Sequence, residues 1–272
     1  MKKNTKIILI VAIALSVLYS VLSGFGFGGT QTDTGGLVYQ LIIVAALIFA
    51  CSLVFTGIDH PVASRHPSTE GNKGNEAFIA GTLGLSLLFV FELYTFAYIY
   101  LYGGEHTDIT INNYIRNCVY IFFIVAISYL TPPVFKAHRV IRGLISIITS
   151  CAVFFIFYAV LTYNQILIAY SALTIKAFCL IAATVLFRRI KRGHPVRLFS
   201  FSVRIMCFLE AVEQLLVMYG NIWNLRDIII SFYPLMYILI GYALVNIHNV
   251  GSNCVQTSVA EELGTSGGDT HE

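Results

Sequence analysis

At 272 residues the chain has the length of one or two soluble domains, but 57% of it is hydrophobic and only 11% is charged, against about 25% charged in an ordinary soluble domain. So few charges cannot cover a water-facing surface, which excludes a soluble fold. The formal net charge of +3 is too small for a nucleic-acid footprint, so no nucleic-acid partner is expected.

The composition implies an all-α, polytopic integral membrane bundle. A hydrocarbon core of about 30 Å takes roughly 20 residues of helix. Eight apolar segments approach or meet that length, at about 7–22, 37–57, 78–102, 114–130, 143–163, 165–187, 199–219 and 228–247. In lipid the backbone must satisfy its own polar groups, so a span is a helix or part of a closed barrel. Continuous apolar runs, without two-residue alternation, exclude the barrel.

The loop charges follow these spans. Lys2, Lys3 and Lys6 precede the first, Arg65 and Lys73 follow the second, and Lys136, Arg139 and Arg142 follow the fourth. Arg188, Arg189, Lys191, Arg192 and Arg197 follow the sixth. Thirteen of the seventeen basic residues therefore fall on one side, which orients both termini to the cytoplasm of a plasma or bacterial inner membrane. An alternative takes 7–22 as a cleaved signal peptide; seven helices would then remain, with the N-terminus outside.

Residues 1–247 form one transmembrane domain, and 248–272 are expected to be a disordered cytoplasmic tail. Both 58–77 and 248–272 are rich in Gly, Ser, Thr and Asn, with little to bury. Pro132-Pro133 ends the fourth span, and Pro234 is expected to kink the eighth.

A charge near the bilayer centre costs at least ~2.5–3.5 kcal/mol. Five residues fall under that cost: Glu92, Lys176, Arg204, Glu210 and Glu213. Lys176 is roughly 16 Å from either end of the sixth span and needs a partner. Glu210 lies at the same depth on the neighbouring seventh span, so the two are expected to face each other. Glu213, one turn further out, shares that face, and Gln214 can add a hydrogen bond. Lys176, Glu210, Glu213, Glu92 and Gln214 thus form the candidate buried-charge or ligand site. Two acids beside one lysine leave a spare carboxylate, the condition for proton-coupled behaviour. Glu92 sits among Phe89, Phe91, Tyr94, Phe96, Tyr98 and Tyr100. It is expected either to accept a cation between aromatic faces or to join Lys176 as a third acid. Arg204 is expected to snorkel to the cytoplasmic interface. The run Arg188, Arg189, Lys191 and Arg192 sets topology and can hold anionic lipid headgroups.

No HExxH, Walker A or CxxC pattern occurs and no GxGxxG opens a helix after a strand, so no cofactor, metal or catalytic centre is expected. Phe/Tyr/Ile-rich helices with basic cytoplasmic turns resemble the membrane input regions of bacterial sensor proteins, and equally many small transporters. Two functions follow as expectations. One is a receptor-like or regulatory protein that binds a small or lipophilic ligand among the third, sixth and seventh spans and reports to a cytoplasmic protein partner. The other is a transporter or permease subunit with a proton- or substrate-linked charge site. A membrane-embedded enzyme or assembly subunit is a third alternative.

Overall fold

A computed structural model describes residues 33–56, 73–101, 109–131, 165–190, 192–219 and 228–250, with scattered positions between 7 and 18. Most of the predicted first span, all of the predicted fifth, the tail from 251 and most loops lie outside the described residues.

The described residues are helical throughout, without a strand. In chain order the long helices are α1 (Asp33–Thr56), α2 (Lys73–Phe96), α3 (Ile109–Leu130), α4 (Gln165–Arg189), α5 (Pro195–Tyr219) and α6 (Tyr233–Val250). A π-helical turn, Ala97–Leu101, extends α2. Among the described residues, three helical stretches are long and apolar enough to cross a membrane: Gly74–Tyr100, Ala169–Arg189 and Ile228–His248. α5 is equally long at 25 residues, but its Arg197, Arg204, Glu210 and Glu213 interrupt the apolar run.

The helices close into a ring in which each packs on the next and α6 returns to α1, while α2 also touches α6. Direction follows from paired residues. Gly84 approaches Phe123 while Glu92 meets Arg116, so α2 and α3 are antiparallel. Phe187 stacks near Phe201 while Lys176 meets Gln214, so α4 and α5 are antiparallel. Ala46 packs on Ile238 and Ala50 lies against Gly241, so α1 and α6 run parallel. Of the three membrane-length stretches the one containing α6 is the most enclosed, 72% buried against 39% for that of α4. The outward faces carry Phe55, Ile79, Val90, Ile181 and Phe208. Such an apolar rim is a liability in water and no burden in lipid.

α1 and α6 meet through small residues. A side chain at Gly241 would lie 2.8 Å from the Ala50 carbonyl oxygen and 3.2 Å from its Cα, so the absent Cβ sets the close approach.

Helix ends follow local chemistry. α3 stops at Leu130, just before Thr131 and Pro132-Pro133. Between α4 and α5, Gly193 adopts φ +89°, a left-handed turn that favours glycine. His194 then caps α5. Its carbonyl accepts the Arg197 and Leu198 N–H groups, and its Nδ1 accepts Val196 N–H at 3.2 Å. Pro195 takes the first helical position, where no donor is needed. At Pro234 the expected interruption falls just upstream: the turn Ser231–Phe232 separates helical residues 228–230 from α6, which starts at Tyr233 and so carries the proline in its first turn.

Candidate functional site

All six helices contribute a polar side chain to one network nearer the end opposite the α4–α5 turn. α1 supplies Gln40, whose Nε2 donates to Glu92 Oε2 at 2.8 Å and to the Glu92 carbonyl at 3.0 Å. α3 supplies Arg116, whose Nη2 lies 3.2 Å from Glu92 Oε1. Its Nη1 lies 3.9 Å from Glu213 Oε2. The Tyr233 hydroxyl, in the first turn of α6, donates to the same Glu213 oxygen.

A second tier lies deeper. Lys176 Nζ sits 3.5 Å from Glu210 Oε2 and donates to Gln214 Oε1 at 2.8 Å. Gln214 Nε2 in turn donates to the Ala169 carbonyl, fixing the amide's orientation. Aromatic faces complete the coordination: Lys176 Nζ is 5.8 Å from the centre of the Tyr120 ring, and Arg116 is 6.0 Å from that of Phe91. At these distances the ring quadrupole still attracts a cation.

Shielding deepens along the network. Side-chain exposure falls from 21% at Arg116 to 10% at Glu213, 3% at Glu92 and Lys176, and 1% at Glu210. Three carboxylates face two cations. With all five ionised, the network carries one excess negative charge, expensive at low dielectric unless a proton or another cation joins. The network also has spare hydrogen-bonding capacity. Arg116 Nε is unbonded among the described residues; apart from the network, the fully buried Asn117 of the same helix also has neither amide atom paired. Buried polar atoms are seldom left so.

Lys176 and Glu210, matched by depth in the sequence, are therefore in contact, with Gln214 beside them. Glu213 is one turn away and turns to Arg116 and Tyr233. Glu92 binds Arg116 and Gln40, with no described contact to Lys176. Arg204 lies toward the α4–α5 turn, its guanidinium 4.3 Å from the Phe187 ring centre. The sequence reading missed Arg116, Gln40, Asn117 and Tyr233. No group of three His, Cys, Asp or Glu suited to a metal ion occurs among the described residues. No protein-family model, curated protein or solved structure matches this chain.

Proposed function

We propose that this chain is an eight-span membrane protein with both termini in the cytoplasm, and that it works as a receptor-like regulator. A small cationic ligand enters from the end where Arg116 is most exposed, binds among α2, α4 and α5, and shifts helix packing. A cytoplasmic protein partner reads that shift through the basic loops or the tail.

The observation that carries this reading is the convergence of six described helices on one network with three acids, two bases and an unbonded Arg116 Nε. A purely structural lock needs one matched pair. An incomplete set spread over all six described helices is suited to a guest whose arrival changes several helix contacts together. Its negative excess favours a positively charged guest.

Two experiments test the proposal. Mass spectrometry of the full-length chain purified in mild detergent identifies bound small molecules. A ligand found there should bind at least tenfold more weakly to Glu210→Gln; unchanged affinity rejects the site. Labelling Cys254 with a membrane-impermeant maleimide tests topology. Reaction from the cytoplasmic side alone supports the orientation, and labelling from outside overturns it.

Proton- or substrate-linked transport is the second reading, favoured by the graded shielding from Arg116 to Glu210. Solute uptake into reconstituted vesicles that is lost in Glu210→Gln would select it over reception.

A further inference from the structure

At the α4–α5 turn, far from the charge network, lies a cavity of about 530 Å³. This is within the range of small-ligand sites. Phe187, Phe201 and Leu198 give it apolar walls, and Arg197, His194, Tyr242 and Asn246 give it polar ones. Among the described residues no acidic side chain lines it.

Two positive charges are stationed beside it without acidic partners. Arg197 and Arg204 lie 4.5 and 4.3 Å from the centre of the Phe187 ring, and none of the ion pairs among the described residues includes either. Stacking on one ring holds both guanidinium groups while leaving N–H edges free; Arg197 commits only one, to the Ile190 carbonyl at 3.0 Å. The cap adds a donor. His194 Nδ1 accepts the Val196 N–H, so the neutral ring carries its proton on Nε2. That atom has no partner among the described residues. Arg188, Arg189 and Arg192 continue the positive field next to the cavity.

The geometry points to a binding site for a phosphate group carried on an apolar chain: an anionic phospholipid, its phosphate at Arg197 and its acyl portion against Phe187, Phe201 and Leu198. The fixed guanidinium group of Arg197, the one that lines the cavity, suits phosphate oxygens. The aromatic wall explains why lipid, and not free phosphate, is the fitting occupant. The surface run can attract any anionic bilayer, whereas this cavity selects one molecule. The inference relies on membrane insertion but not on the charge network.

The test places the full-length chain in phosphatidylcholine nanodiscs with increasing phosphatidylglycerol. Intact-complex mass spectrometry counts the lipid retained, and the thermal midpoint in pure phosphatidylcholine checks folding. One phosphatidylglycerol per chain is expected. Retention should fall at least tenfold in Arg197→Gln, which removes the charge, and in Asn246→Phe, which fills the cavity. It should persist in Arg188→Gln/Arg189→Gln. Unchanged retention in whichever cavity variant folds overturns the site, as does an equal loss in the surface variant. If inorganic phosphate reproduces the stabilisation and Arg197→Gln removes it, the source is soluble and the lipid assignment is overturned.

Discussion

The ammonium group of Lys176 lies 3.5 Å from the carboxylate of Glu210, with 3% and 1% of the two side chains exposed. Removing one partner of such a pair strands the other charge, which costs about 3–5 kcal/mol in buried settings. Lys176→Met should therefore destabilise the bundle by about that amount. Lys176→Met/Glu210→Leu should recover most of the loss, because two apolar groups need no partner. Unfolding in mixed micelles measures both. An additive double variant would show that the pair is not coupled.

Tyr233 tests the link between α5 and α6. Its hydroxyl donates to the Glu213 carboxylate, and hydrogen bonds to charged groups contribute about 1.5–3 kcal/mol. Tyr233→Phe should lose about that much in the same unfolding assay. Combined with Glu213→Gln, it should lose less than the sum of the single effects.

The α1–α6 contact gives a steric prediction. The groups around Gly241 are backbone atoms of Ala50, which cannot rotate away. Gly241→Ala forces the helices apart, at a cost of about 1–3 kcal/mol. At Gly81 the obstruction is only the Leu244 side chain, which can change rotamer. Gly81→Ala should thus be the milder change. Equal thermal midpoints for the two variants would contradict the backbone explanation.

His194 supplies a pH dependence. Burial holds its imidazole below the ordinary value of 6.5, because the charged form is poorly solvated there. Between the folded and unfolded values the unfolded chain binds more protons, so stability rises with pH through that window. Stability is fully present above about 6.5 and is lost as pH falls toward the folded value. Asn at this position caps the helix without titrating. His194→Asn should flatten the thermal midpoint between pH 7 and 5 relative to the parent, and identical profiles would assign the dependence elsewhere.

Long apolar runs made the helical class legible, and depth counting along the sequence was enough to bring Lys176 to Glu210. Arg116 escaped for a physical reason. The predicted fourth span begins at 114, where the apolar run begins, which puts Arg116 at its very end. The helix itself starts at Ile109, placing Arg116 two turns inside. Gln40 escaped similarly, because α1 starts at Asp33 and not at 37. Hydropathy marks where hydrocarbon begins, whereas a helix extends beyond it through polar residues. Ring order was also beyond reach, since no local pattern records that α6 closes against α1. Tyr233 joins Glu213 only through that closure.

The Lys176–Glu210 pair also constrains how the chain is made. α4 leaves the ribosome before Glu210 exists, and a solitary mid-depth ammonium group opposes release into lipid. Entry of α4 together with α5, as one helical hairpin, would keep that charge paired throughout. Such an entry would turn on Gly193, about which the second helix of the hairpin folds back on the first.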